Sequence, residues 1–402
     1  MAKSDPVVVV GAGPVGLCLA LALAQQDIAV VLIESLSDDN FLDQVPRAGS
    51  NHPTTLEFFD RIGLYTKMEP RGLIAPKFQY WDRKDNALIA EFDHALLKND
   101  TRFPYVLQCE RIKIIEEALK MAKAHPLVAV RMATEFVSFQ QKSDAVVARV
   151  KNAAGEDENI NGSYLVSAEG ARSIVRKDLG VEFEGFTYAE LFLIASTDFP
   201  FENTLDRHRL CQLHADPLEW LVLLRVPGLW RVLVPAPENS DREKLLSENL
   251  QAMLQRVVPR SEPYTIAHRS IYHVHQRVAK SLRHGRVLLA GDAAHVNNPL
   301  GGMGMNGGIQ DAFNLADKLK AIWAGADDRL LDRYDRQRRT VAVEAVQQQT
   351  HRNQPVISER DPETRKKSLD AMRKVAADQA SAREYKLRSS VIASMRRAAK
   401  IE

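Results

Sequence analysis

The sequence predicts an α/β fold in which a parallel-sheet unit is interrupted by an inserted antiparallel β-sheet and followed by a helical C-terminal region. Three observations predict it. Near the N-terminus the apolar run Val7–Val10 meets Gly11-Ala-Gly13-Pro14-Val-Gly16, then a helical pattern through Leu17, Ala20, Leu21 and Ala24. A second apolar run, Ile28–Ile33, closes on Glu34. Far along the chain a buried-strand pattern, Val287–Ala290, stops at Gly291-Asp292, and glycines at 301, 302, 304, 307 and 308 lead into a helix. Ile309, Ala312, Phe313, Ala316, Leu319 and Ile322 share one face of that helix at helical spacing. Between these stretches, residues 72–105 and 183–275 read mostly as strands and turns.

The first element is a strand–turn–helix–strand unit of Rossmann type. Its glycines allow a tight turn and close approach of a pyrophosphate, and an acid at the end of the second strand accepts from a ribose hydroxyl. Pro14 fits the first helical turn, where its missing N–H costs little. Glu34 favours an unphosphorylated adenosine ribose, which both FAD and NAD supply. The late Gly291-Asp292 motif adds a second acid at a strand end and a second glycine-rich helix start with free N–H groups. NAD needs one such half. FAD, with its long ribityl chain, uses a distant second contact, so the pair of motifs points to FAD.

The remaining elements follow in order. A polar segment, Ser35–Asn51, precedes a helix at Thr54–Arg61 closed by Gly63. Lys77–Trp81 reads as a strand and Asp82–Asn86 as a turn; Phe103-Pro104-Tyr105 then leads to Gln108. From Glu110 a helix carries Ile112, Ile115, Leu119 and Ala122 on one face. Short strands are expected at 127–131, 134–140 and 145–151, with a turn at Asn152–Gly155 and a further strand into Glu169-Gly170. In 183–275 the clearest hairpin is Trp220–Val226, Pro227-Gly228, Trp230–Val234, with one helix at Arg242–Val257. A helix at Gly308–Ala324 follows, and from Tyr334 onward the chain reads as helical, broken near Pro355 and Pro362. The division expected is 1–71, 106–182 and 276–333 for the cofactor unit, 72–105 and 183–275 for a substrate-binding sheet, and 334–402 for the helical region.

These motifs carry a family resemblance. Gly11-x-Gly13-x-x-Gly16 with Glu34, Gly291-Asp292-Ala-Ala-His295, Pro299 with the Gly301–Gly308 loop, and Asp311-Ala-Phe-Asn314-Leu resemble the group A flavin-dependent aromatic hydroxylases, the para-hydroxybenzoate hydroxylase-like FAD monooxygenases. The resemblance implies a GR2-type FAD domain. It implies that NADH or NADPH docks transiently to reduce the flavin, and that a flavin C4a-hydroperoxide then hydroxylates an aromatic or heteroaromatic ring. Cofactor contacts implied are Gly11, Gly13, Pro14, Gly16 and Glu34; Arg47 on the phosphates; Gln108 and Arg111 near the ribityl and pyrophosphate groups. Gly291, Asp292, Pro299, Gly302, Gly304, Met305 and Asn306 complete the set around the flavin. His295 is implied to be structural. Two departures stand out: Glu169-Gly170 replaces the usual Asp-Gly, and Asn298 replaces a proline. Glu169 is expected to cap the segment after Gly170.

Electrophilic oxygen transfer needs an electron-rich ring in a mostly apolar cavity holding a proton acceptor and, for acidic substrates, a cation. The catalytic candidates are His214 as base, Arg225 as cation and Pro299 at the flavin edge. Arg231, Tyr188 and Tyr272 are further polar candidates, and Trp220 with Leu221–Leu224 is a candidate wall.

Composition narrows the rest. The 402 residues are 45% hydrophobic and 26% charged with a net charge of +2, which gives no reason to invoke nucleic acid. Charge is uneven, with 17 Lys/Arg against 10 Asp/Glu in 331–402 and 37 against 42 elsewhere. The basic stretch Arg383–Lys400 raises a rival reading, a quinone-precursor hydroxylase at the membrane surface. A non-catalytic FAD-binding protein is the reading from another class. A flavin halogenase would share the fold, but the sequence has no WxWxIP segment and no lysine in its expected setting, which weighs against that reading. Cys18, Cys109 and Cys211 form no CxxC pair, which fits a reducing cytoplasm. No integral membrane segment and no metal site are expected. A homodimer is compatible with the sequence.

Overall fold

A computed structural model describes residues 5–42, 49–204, 211–347 and 356–402. Its first sheet has six strands, with Val7–Val10 paired in parallel to both Tyr164–Ser167 and Val30–Ile33. Val128–Arg131 and Val287–Leu289 flank these in parallel, and Arg283–His284 closes one edge antiparallel. Both faces of such a sheet are covered, so its strands are continuous apolar runs rather than alternating ones. That is why Val7–Val10 reads as four valines, all buried. The helix Pro14–Ala24 is apolar nearly all round because it lies between the helices Arg111–Ala124 and Met303–Trp323.

The second sheet has eight strands, in the order His295–Val296, Ile266–Ala279, Phe183–Thr197, Leu229–Pro237, Leu221–Val226, Cys211–Ala215, Lys77–Asp82 and Ala87–Asp93. Here the expected antiparallel sheet is corrected in one detail: Cys211–Ala215 runs parallel to Lys77–Asp82. The sheet also extends past residue 275, to Ala279, and takes in His295–Val296. One of its faces packs Leu221, Leu223, Trp230 and Val232 against Leu250, Met253 and Leu254 of the helix Glu248–Val257. The other face looks toward the glycine-rich loop and is the one that matters below. Two three-stranded sheets complete the fold, one from Glu135–Gln141, Val146–Lys151 and Asp157–Gly162, the other from Ser50–Asn51, Val106–Gln108 and Leu73–Ala75.

Three boundaries differ from expectation. The helix expected from Gly308 starts at Met303. Gly304, Gly307 and Gly308 therefore sit inside it, and at Gly308 the reason is close packing: an added Cβ would lie 2.7 Å from Val15 Cγ2 and 2.9 Å from Gly291 Cα. The helix expected over Arg242–Val257 is two, Arg242–Leu246 and Glu248–Val257, hinged at Ser247. Pro362 opens a helix, Pro362–Ala377, instead of breaking one. Asp361 caps it by accepting from the Thr364 N–H at 2.8 Å, and the ring occupies a position where no N–H is needed. Pro355 lies outside the described residues.

The C-terminal helices fold back on the molecule. In Gln379–Ser389, Tyr385 stacks on Phe92 with centroids 4.2 Å apart and shares a 3.0 Å hydrogen bond with Tyr80. Arg383 and Arg396 both pair with Asp100 at 2.7 Å. Among the described residues no helix is long and apolar enough to cross a membrane.

Candidate active site

The two glycine-rich helix starts open onto one cavity of about 930 Å³. At its first end, Gly11 has φ +100° and an added Cβ there would lie 2.6 Å from Ala168 O, so the turn needs glycine. Gly16 lets the helix approach the turn, since a Cβ would fall 1.9 Å from Gly11 O. Gly13 differs: nothing stands within 4 Å of its missing side chain. It and Pro14 line the cavity, leaving bare backbone toward whatever occupies it. Glu34 lines the same end, held by hydrogen bonds from the Ala12 N–H at 3.0 Å and the Leu36 N–H at 3.1 Å.

The helices Pro14–Ala24 and Met303–Trp323 share an electrostatic property. Each is preceded by a glycine, neither has a side-chain cap, and neither has an acid in its first turn. Their free N–H groups and partial positive charge are thus uncompensated. That suits a pyrophosphate at one end and a flavin ring that becomes anionic on reduction at the other. The residues present fit FAD.

Of the other expected cofactor contacts, Gln108, Arg111, Asp292, Pro299, Gly302, Gly304, Met305 and Asn306 all line the cavity. Gly302 takes φ +66° as the residue before the helix. The Asn306 side chain is committed to the protein: its Oδ1 accepts from the His52 N–H at 2.9 Å and Thr55 Oγ1 at 2.6 Å, while Nδ2 donates to the Ser50 and Gly302 carbonyls. It ties the loop to the segment 50–55. Gly16 and Gly291 act from behind the cavity wall. Gly291 packs against Val15, and its N–H donates to Asp311 at 2.9 Å. Asp311 also accepts from His295 at 2.8 Å and Arg338 at 2.5 Å, so His295 belongs to a buried structural network. Glu169 caps the turn at Ile174–Asp178, accepting from Ser173 Oγ at 2.6 Å and the Ile174 N–H at 3.1 Å. Arg47 lies outside the described residues.

The substrate-side candidates need correction. Strand alternation decides it. Cys211 and Leu213, Val222 and Leu224, and Arg231 and Leu233 line the cavity, which puts His214 and Arg225 on the opposite face of the sheet. His214 is buried there, with Nε2 3.1 Å from Gln212 Oε1. Arg225 is bound to Glu202 and lies over the Trp230 ring. Neither reaches the chamber. Trp220, expected in the wall, packs against Phe192. Tyr272 lines the cavity, and so does Arg231. Burial lowers the Arg231 pKa against the pull of Glu110, its partner at 2.9 Å.

Sequence reading missed the cavity's other polar end. His52, His94, Tyr80, Tyr385 and Lys386 all line it. His52 Nε2 donates to Gly301 O at 2.9 Å, and burial lowers its pKa to about 4. His94 donates through Nδ1 to Pro76 O at 3.0 Å and is likewise held well below its usual range by burial. Both imidazoles are neutral at neutral pH. Among the described residues no cluster of His, Cys, Asp and Glu can hold a metal.

Two bare helix ends for a dinucleotide, joined to a chamber beneath a β-sheet, describe a flavoprotein that brings its cofactor to an organic substrate. Comparison with known proteins makes the assignment specific. Residues 4–349 match the FAD binding domain family, and the chain belongs to it as a group A flavin-dependent aromatic hydroxylase. It is 34% identical to para-nitrophenol 4-monooxygenase of Pseudomonas sp. strain WBC-3, over 96% of both chains. It is 31% identical to 6-hydroxy-3-succinoylpyridine 3-monooxygenase HspB of Pseudomonas putida strain S16, covering 86% of this chain and 87% of that one. The crystal structure of p-nitrophenol 4-monooxygenase PnpA from Pseudomonas putida DLL-E4 superposes with a TM-score of 0.89 at 32% identity, covering 96% of this chain and 98% of that one. The protein is an FAD-dependent monooxygenase that uses NAD(P)H and O₂ to hydroxylate a small aromatic substrate.

Proposed function

We propose that this monooxygenase acts on a single-ring phenol. The observation that carries the reading is the chamber between the glycine-rich loop and the eight-stranded sheet. Its sheet side is mostly apolar, with Ile194, Leu213, Val222, Leu224, Leu233 and Val274 beside Arg231 and Tyr272, and His52, His94 and Lys386 also line it. A mostly apolar chamber with a few polar groups suits a flat ring bearing one polar handle. The likeness to a para-nitrophenol monooxygenase along nearly the whole of both chains supports the same size class.

When bound, FAD supplies the acceptance of two electrons from NAD(P)H and the activation of O₂ that leaves one oxygen atom on the ring. The chain's own residues hold it and shape its surroundings. Glu34 would take the adenosine ribose hydroxyls, the start of Pro14–Ala24 would hold the pyrophosphate, and Gln108 and Arg111 would hold the linker. Asp292 would accept from a ribityl hydroxyl. Pro299, Leu300 and the backbone of Gly302, Gly304 and Met305 border the ring, where the bare start of Met303–Trp323 favours negative charge. The apolar wall keeps water from the reacting carbon. In this assignment 1–71, 106–182 and 276–333 carry the cofactor, and 72–105 with 183–275 carry the substrate, the last strand reaching Ala279.

The test is NADH and NADPH oxidation under air with single-ring phenols, fused-ring phenols and aromatics lacking a hydroxyl, with products identified by mass. Single-ring phenols should stimulate oxidation and return hydroxylated product. Stimulation confined to fused rings, or equal rates with and without every phenol, would refute the reading.

A further inference from the structure

Among the described residues no hydrogen bond or ion pair accounts for the side chain of Lys386. It sits on the helix Gln379–Ser389, is 3% exposed, and lines the cavity. Among the described residues its Nζ makes no hydrogen bond and no ion pair; its aromatic neighbour is Phe78, with Nζ 5.7 Å from the ring centroid. A largely enclosed ammonium with no anion in contact is costly, and proteins keep one where something else supplies the partner.

The neighbours do not neutralise it. His52 and His94 are neutral, as argued above. The Tyr80 and Tyr385 hydroxyls bind each other at 3.0 Å, and burial raises both pKa values, Tyr385 to about 12. Burial likewise raises the Cys211 thiol to about 12, so it stays uncharged. Asp93 acts on Lys386 through space, while its Oδ1 accepts from the Ala95 N–H at 2.7 Å. Lys77, the nearby cation of the same wall, is already held by Glu91 at 2.6 Å. Burial lowers the Lys386 pKa to about 7, so near neutral pH the amine is present in both forms.

Resting on the single-ring phenol reading above, we propose that Lys386 takes the phenolic hydroxyl: the neutral amine accepts its proton, and the resulting ammonium holds the phenolate. The O–H bond breaks, an N–H bond forms, and its electron pair stays on oxygen. No other reactant is needed. The products are a cation and an anion in contact, which gives the buried amine its missing partner. A phenolate ring is richer in electrons than a phenol and accepts an electrophilic oxygen more readily. Carboxylic acids are ionised at neutral pH already, so they need no acceptor; a phenol does. The Tyr385–Phe92 stack and the Tyr385–Tyr80 hydrogen bond hold the helix so that Lys386 meets the chamber.

The experiment uses FAD-loaded enzyme with 4-nitrophenol, whose ionised form is coloured, and with nitrobenzene, which lacks the hydroxyl. In wild type, bound 4-nitrophenol should ionise at lower pH than in solution. Lys386→Met should raise that pH and weaken 4-nitrophenol binding by about ten- to hundredfold, the loss of one hydrogen bond to a charged group. Nitrobenzene affinity should change by less than a factor of about three, well under one such bond. Equal losses for both ligands, or unchanged 4-nitrophenol binding, would overturn the proposal. If the variant does not fold, the wild-type titration decides alone: ionisation at or above the solution pH overturns it. A phenol panel that binds and turns over alongside an unaffected Lys386→Met variant sinks this inference but leaves the substrate reading standing.

Discussion

Asp311→Asn tests whether the cofactor half is held from behind by one buried ionic network. Asp311 is fully buried and accepts three hydrogen bonds, from Gly291 N at 2.9 Å, His295 Nε2 at 2.8 Å and Arg338 Nε at 2.5 Å. Arg338 is 1% exposed and donates onward to Gly307 O at 3.1 Å. The amide removes the only carboxylate paired with Arg338 among the described residues and leaves a buried cation uncompensated, a change worth about 3–5 kcal/mol. At ~2–4 °C per kcal/mol, the melting temperature should fall by roughly 6–20 °C, toward the lower figure for a chain this long. Because the network grips Gly291 and Gly307, the strand end bearing Asp292 and the first turns of Met303–Trp323 should loosen, and FAD should elute on gel filtration. Differential scanning calorimetry and flavin absorbance read the two effects. Asp311→Leu combined with Arg338→Met should recover part of the stability, since an apolar pair removes both charges. The pH dependence has a defined sign. Burial alone would raise the Asp311 pKa, but His295 and Arg338 overcome it and hold it below the ordinary carboxylate range. Its stabilisation is therefore full above the unfolded carboxylate pKa of ~3.9 and is lost as pH falls through the lower folded value. A melting temperature within about 2 °C of wild type with FAD retained, where one kcal/mol already moves it ~2–4 °C, would refute the argument.

Two further substitutions separate roles within the site. Gly16→Ala should disrupt the fold with or without cofactor, because its Cβ meets Gly11 O at 1.9 Å, whereas Gly13→Ala should leave the apoprotein's melting temperature unchanged and weaken FAD binding; equal effects of the two on the apoprotein would contradict the assignment. Arg225→Met should cost about 1 kcal/mol by breaking a part-exposed pair with Glu202 and should leave phenol affinity unchanged, as titration calorimetry can measure.

What could be read from residues alone followed from how locally each constraint acts. Gly11, Gly13 and Gly16 with Glu34 lie within one βαβ unit, and the tight turn that needs Gly11 and Gly16 is confined to that unit. The Gly301–Gly308 stretch reads as a loop, yet the helix starts at Met303, because glycine's weak helix preference hides the packing of Gly308 on Gly291. Strand direction was the point of failure. Leu221–Val226 is apolar on both faces, so nothing in it tells which side of Arg225 faces the chamber, and only the register with Leu229–Pro237 does.

Lys386 marks the other limit. Its surroundings in sequence, Ser381 to Ser390, read as a basic helical surface, and its burial depends on Tyr385 reaching Phe92 and Tyr80 some three hundred residues earlier. The cofactor end thus rests on local turns, while the polar end of the chamber is assembled by tertiary packing of the last helices onto the sheet edge. Such a division allows the first to stay constant while the second changes with the ring it must hold. For this chain the prediction is directional: substitutions at His94, Tyr385 or Lys386 should alter which aromatic is accepted without releasing FAD, whereas those at Gly11, Gly16 or Asp311 should release FAD whatever the aromatic.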